Sequence, residues 1–122
     1  MIENRNFYIN GQWVAPAIPH DLPVIDPSTE QPCAIISLGS QADTDKAVAA
    51  AKAAFPAWSH TAPADRLATV KRILAVYKRR SEDMAQAITL EMGAPITMSR
   101  ADQTTSGDWH IEGFIEIGRE HV

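Results

Sequence analysis

The chain has 122 residues, a length that fits at most one domain, and 45% of them are hydrophobic. Its formal net charge is −4, and no basic patch stands out, so the composition argues against nucleic-acid binding. A single cysteine excludes an intramolecular disulfide, and neither a signal-peptide pattern nor an apolar run of about 20 residues is present, so we expect a cytoplasmic protein without a membrane span.

Residues 1–39 predict short β-strands. The segment FYINGQWV contains Asn-Gly, the strongest short signal for a tight hairpin, and would place Tyr8 opposite Trp13. Three prolines fall within eight residues soon after, which excludes regular structure there except an edge strand. Further extended segments are predicted at 22–25 and 33–38, joined by a DPST turn in which the aspartate can bond the backbone two residues on.

Residues 40–122 predict a helical part. Ser40 and Asp43 have the spacing of a capping box, and the alanine-rich run that follows favours a helix that Pro56 is expected to stop. A second, long helix is expected from a cap at Thr61 to a stop at Gly93.

A third segment, from about residue 96 to 118, is a weaker helix candidate because threonine, serine and glycine interrupt it. Its end is markedly apolar, and these side chains need a surface to cover them. The apolar residues in question are Trp109, Ile111, Phe114, Ile115 and Ile117.

No self-contained active site is indicated. Cys33 lies among apolar neighbours without an adjacent base or cation, which favours a small buried side chain over a nucleophile. Glu112 and Glu116 are a like-charged pair four residues apart, with little to suggest catalytic use. Neither a GxGxxG motif nor a phosphate loop is present. The histidines lack metal-ligand spacing; they are His20, His60, His110 and His121.

The order of five segments carries more information than any one of them. The segments are FYINGQWV, VIDPSTEQP, GSQADTDKAVAAAKAAFPAW, PADRLATVKRIL and ITLEMGAPI. In this order and spacing they resemble the N-terminal region of NAD(P)-dependent aldehyde dehydrogenases. The departures are Asp26 for the commoner asparagine, Gln31-Pro32 for Gly-Glu, and Ala94 for the lysine of Gly-Lys-Pro.

The resemblance implies an α/β parent protein with the aldehyde dehydrogenase fold, to which this chain contributes a β-hairpin and strands followed by two or three helices. It also implies oxidation of an aldehyde to a carboxylic acid with NAD or NADP through a cysteine thiohemiacetal. The family's nucleophile, general base and cofactor loop lie beyond the matched region. We therefore expect an inactive N-terminal fragment, without catalytic or cofactor-binding residues, that self-associates.

Two other hypotheses remain open. The chain could be a natural truncated paralogue that acts as a non-catalytic interaction module, or an independent enzyme that uses Cys33. The resemblance further implies a Na⁺ or K⁺ site built from backbone carbonyls, which suit hard cations. The matching positions are Val24, Ile25 and Gln103, and we expect this site to be incomplete because other ligands come from sequence outside the match.

Overall fold

A computed structural model describes residues 1–120. The chain divides into two compact units, Met1–His60 and Thr61–Val122. The first unit contains the strands β1 (Ile2–Asn4), β2 (Phe7–Ile9), β3 (Gln12–Val14), β4 (Asp21–Asp26) and β5 (Gln31–Ser37), and the helix α1 (Gln41–Ser59). The second unit is helical, with α2 (Pro63–Arg79), α3 (Ser81–Met92), α4 (Ile96–Met98), a π-helical segment (Ser99–Gln103) and α5 (Thr104–Arg119). The expected order of strands followed by helices is therefore confirmed.

The predicted hairpin is formed by β2 and β3. Asn10 and Gly11 both adopt the left-handed region, with φ of 53° and 75°, as a tight two-residue turn requires. Tyr8 pairs with Trp13 across the two strands, and their ring centroids are 5.2 Å apart. The inward-facing Ile9 is buried, whereas the two aromatic rings lie on the exposed side.

The other three strands form a separate sheet in the order β1-β5-β4. β4 is an edge strand antiparallel to β5, which explains how it accommodates Pro23. The DPST turn forms as predicted, with Asp26 Oδ1 accepting hydrogen bonds from the Ser28 amide (2.8 Å) and hydroxyl (2.6 Å). The parallel strand β1 was not predicted, because its three residues carry no strand signal without their partner.

α1 begins with the predicted capping box. The Ser40 side chain accepts a hydrogen bond from the Asp43 amide, and Asp43 Oδ2 accepts one from the Ser40 amide at 2.9 Å. The expectation that Pro56 stops this helix is wrong, because α1 continues to Ser59. Proline removes one backbone hydrogen bond, and at this position, close to the C-terminal end, the helix tolerates the loss.

The long second helix is a further correction. Arg80 leaves helical geometry, with φ −104° and ψ 11°, and divides the segment into α2 and α3. α2 has Ala62 at its N-cap position and Pro63 in its first turn, so the expected cap, Thr61, lies one residue too early. Gly93 ends α3 in the left-handed conformation, as predicted.

The third segment is helical despite its weak propensity. Tyr77 Oη donates a 2.8 Å hydrogen bond to the Thr104 carbonyl, and Ser99 and Thr104 are both fully buried. Ser99 Oγ lies 3.0 Å from Thr89 Oγ1, so this buried polar group has a partner. Packing against α2 and α3 therefore outweighs the propensity of the residues in this segment.

Candidate functional site

Cys33 lies in β5 as a half-buried free thiol. The strand register shifts at this residue, so that Val24 pairs with Ala34 and Ile25 with Pro32. The thiol donates a hydrogen bond to the Val24 carbonyl, with sulfur and oxygen 3.4 Å apart. This is the geometry of a packed side chain, and the sequence-based prediction that Cys33 is not a nucleophile remains a prediction.

The proposed cation ligands are distributed over both units. Val24 and Ile25 are neighbours in β4 of the first unit, and Gln103 ends the π-helical segment of the second. The Val24 carbonyl already accepts the Cys33 thiol, whereas Pro32, which pairs with Ile25, has no amide hydrogen to donate. Carbonyl oxygen atoms are ligands that a hard cation can bind. The predicted site itself stays a prediction.

Side-chain metal ligands do not cluster within residues 1–120, where no group of three or more histidine, cysteine, aspartate or glutamate residues could hold an ion. His121 lies outside the described residues.

Within residues 1–120, no helix combines the length and hydrophobicity that crossing a bilayer would require. The described glycines lie in turns, at element ends or within α5. That this chain has no cofactor-binding residues stays a prediction.

One concave feature of the second unit is a groove between α2 and α3, with a volume of about 580 Å³. We call it the α2–α3 groove, and we define it by Arg72, Ile73, Val76, Arg80, Met84 and Ala87. Ile73 and Met84 are 53% and 45% exposed, so its floor is apolar and open. Sequence reasoning missed this groove. Ile73, Val76 and Met84 add apolar positions to these helices beyond what one packed face needs, and that excess was the available signal.

Charged side chains surround this apolar floor. On one side, Arg80 Nε lies 3.3 Å from Asp83 Oδ2 and forms an exposed ion pair. Arg72 instead donates to the Thr69 hydroxyl at 2.8 Å. The groove therefore has an apolar centre and a cationic edge along α2.

Two further ion pairs connect helices of the second unit. Arg100 contacts Glu82 through two hydrogen bonds of 2.9 and 2.6 Å, and this guanidinium, followed by the Gln86 amide, lowers the pKa of Glu82 to about 2. Lys78 Nζ lies 2.5 Å from Glu112, which raises the pKa of Lys78. Glu112 is thus an ion-pair partner of a lysine on α2.

The apolar end of α5 is only partly covered. Ile115 is buried and Ile111 is half-buried, in agreement with packing on a neighbouring helix. Trp109, Phe114 and Ile117 are each more than half exposed. Together with the groove, they give the second unit a large exposed apolar area, which in soluble proteins commonly marks an interaction surface.

Solved structures with the same order of strands and helices are aldehyde dehydrogenases, so this chain has part of the aldehyde dehydrogenase fold. An aldehyde dehydrogenase from Bartonella henselae superposes with a TM-score of 0.96 and 55% identity, covering 98% of this chain and 25% of that one. A mutant of aldehyde dehydrogenase C from Pseudomonas syringae, in complex with NAD⁺ and octanal, superposes with a TM-score of 0.92 and 43% identity, covering 94% of this chain and 24% of that one.

Sequence comparison agrees. The model of the aldehyde dehydrogenase family matches residues 13–119. The chain is also 42% identical to a 3-succinoylsemialdehyde-pyridine dehydrogenase from a Pseudomonas species, over 99% of this chain and 26% of the relative. The chain belongs to the aldehyde dehydrogenase family, which confirms the resemblance drawn from the five segments. It spans about a quarter of the length of this relative.

Proposed function

We propose that this chain serves as the N-terminal region of a cytoplasmic enzyme that oxidises an aldehyde to a carboxylic acid with NAD⁺ or NADP⁺. The supporting observation is the superposition on the Bartonella henselae enzyme, which covers nearly all of this chain but only a quarter of that one. The nucleophilic cysteine, the general base and the cofactor site would come from the other three quarters. On its own, the chain would be inactive and bind neither NAD nor NADP.

Two relatives support the reaction class. The Pseudomonas syringae enzyme was crystallised with NAD⁺ and octanal, and the Pseudomonas relative is named for a semialdehyde. We take an aldehyde as the substrate of the whole enzyme and NAD⁺ as the cofactor to test first. In this scheme, the described residues supply a scaffold and no reacting atom.

A chimaera tests this proposal. The matched quarter of the Pseudomonas syringae enzyme, in its active form, is replaced by this chain, and NADH formation is followed with octanal and NAD⁺. We expect the chimaera to oxidise octanal and this chain alone to be inactive. The same enzyme with the quarter deleted is the control. An inactive chimaera, or NADH formation by this chain alone, would overturn the proposal.

The second candidate function is a non-catalytic interaction module. Its supporting observation is the exposed apolar area on α5 and in the α2–α3 groove. The exposed side chains of α5 also favour self-association of the isolated chain. Light scattering at micromolar concentration measures this, and a monodisperse monomer would contradict the self-association that we expect.

We also propose that the monovalent-cation site at Val24, Ile25 and Gln103 is incomplete in this chain. Backbone carbonyls are suitable ligands, but one of them, that of Val24, is shared with the Cys33 thiol. Titration calorimetry with K⁺ should therefore show no tight binding. Tight, stoichiometric binding would contradict this proposal.

A further inference from the structure

The α2–α3 groove has the form of a docking surface for another helix. Its floor is made of aliphatic and thioether side chains, and its volume is about 580 Å³. Grooves of this kind commonly receive the apolar face of an amphipathic helix. Because Ile73 and Met84 are about half exposed, an occupant would remove their remaining surface from water.

The chemistry of the groove argues against a catalytic pocket. The charged groups that line it, Arg72, Arg80 and Asp83, are all exposed, and the Tyr77 hydroxyl is already bound to the Thr104 carbonyl. Arg80 and Asp83 neutralise each other. A small-molecule site would instead need convergent polar groups at the bottom of a deep cavity.

The comparisons indicate what the occupant is. The groove belongs to a unit that superposes closely on two aldehyde dehydrogenases, and about three quarters of each of those chains has no counterpart in the present 122 residues. We infer that the α2–α3 groove binds an amphipathic helix from the remaining part of an aldehyde dehydrogenase chain. This inference rests on the proposed function and assigns it a contact surface.

Charge gives the occupant a further property. Within the described residues, Arg72 forms a hydrogen bond to a neutral hydroxyl and no ion pair, so its charge is available on the α2 edge of the groove. A carboxylate on the flank of the docked helix would complement it. The expected partner is thus an amphipathic helix whose apolar face fills the groove and whose acidic side lies next to Arg72 of α2.

The chimaera with the Pseudomonas syringae enzyme provides the test. Ile73→Gln should reduce the yield of active chimaera and lower its Tm, because the groove is filled there. In the isolated chain, the same substitution should leave the circular dichroism spectrum and the Tm unchanged, because Ile73 is exposed. Lys71→Gln, two positions away on the same helix, is the control and should change neither protein.

A second pair of variants tests the charge. Arg72→Glu should weaken the chimaera, whereas Lys71→Glu makes the same charge change outside the groove and should not. Unchanged yield and Tm of an active chimaera with Ile73→Gln or Arg72→Glu would overturn the inference and leave the proposed function intact. An isolated chain that is a dimer, and that Ile73→Gln converts to a monomer, would assign the groove to a second copy instead. An inactive unmodified chimaera would overturn the proposed function and this inference with it.

Discussion

Tyr77 and Thr104 are joined by a hydrogen bond, with the phenol oxygen of α2 2.8 Å from the first carbonyl oxygen of α5. Gly107 makes this contact possible, because a Cβ atom at that position would lie 2.4 Å from Tyr77 Oη. The glycine that weakens α5 in isolation is therefore the residue that lets α5 approach α2.

Gly107→Ala should destabilise the chain, although alanine ordinarily favours a helix. The clash with the ring forces Tyr77 to move, and such overpacking costs about 1–3 kcal/mol. Gly113→Ala is the matched control on the same helix, since its Cβ would meet nothing within 4 Å. That variant should gain roughly 0.5–1 kcal/mol. Urea unfolding measures both free energies, and equal effects would contradict the assigned role of Gly107.

The capping box of α1 provides the second prediction. Ser40→Ala should lower the free energy of unfolding by about 1 kcal/mol, because the amide of Asp43 loses its acceptor. Gln41→Ala, at the neighbouring exposed position, should stay within about 0.5 kcal/mol. Thermal unfolding followed by circular dichroism distinguishes the two variants. A Ser40→Ala chain as stable as its Gln41→Ala control would show that the cap is dispensable.

The Glu82–Arg100 pair provides a pH-dependent prediction. Because the pKa of Glu82 is lowered from 4.5 to about 2, its contribution to stability is complete above pH 4.5 and disappears as the pH falls through about 2. In Arg100→Met, the pKa of Glu82 should rise towards 4.5, and the stability difference from the parent chain should vanish at the acidic end of this window. Carboxyl NMR titration measures the pKa directly.

Arg79→Met is the control for that titration. Arg79 is exposed at the end of α2, and its substitution removes one positive charge without touching the Glu82–Arg100 contact. The pKa of Glu82 should not change in this variant. A similar rise in both variants would mean that net charge, and not the contact with Arg100, lowers the pKa.

Cys33 provides the fourth prediction. In the active chimaera, Cys33→Ala should leave the rate of octanal oxidation unchanged, because the thiol is engaged with a backbone carbonyl in the sheet. The variant enzyme should also keep the parent Tm within a few degrees, since only a half-buried sulfur atom is removed. Loss of activity in a chimaera that is still folded would instead support an enzyme that uses Cys33.

Local features of the fold could be predicted because a few adjacent residues determine them. The Asn10-Gly11 turn, the Asp26 turn and the box between Ser40 and Asp43 each depend on groups at most three positions apart. Each feature formed as expected, since its hydrogen bonds or backbone angles need no distant partner.

Features that depend on distant partners could not be predicted in the same way. β1 pairs with a strand about thirty residues away, and the helical break at Arg80 lies inside a continuous run of good helix formers. Pro56 was given too much weight as a helix stop, because a proline one turn from the end costs only one hydrogen bond.

The candidate sites also depend on residues that are distant in the sequence, so most of them could not be predicted. The family could be recognised from segment order, but the α2–α3 groove arises only when Ile73 and Met84 are brought together by two helices. A cation site made of backbone carbonyls leaves even less trace in a sequence. The backbone oxygen atoms of Val24 and Ile25 would be present whatever the side chains at these two positions were.

The pairing of β1 has a practical consequence for work with this protein. Residues 2–4 cover the outer backbone edge of β5 along 34–36, where Ala34 is buried and both isoleucines are half-buried. Trimming the amino terminus by six residues would convert that central strand into an apolar sheet edge. An edge of this kind recruits strands from other molecules, so the shortened chain should precipitate or form fibrils under conditions in which the untrimmed 122-residue chain remains in solution.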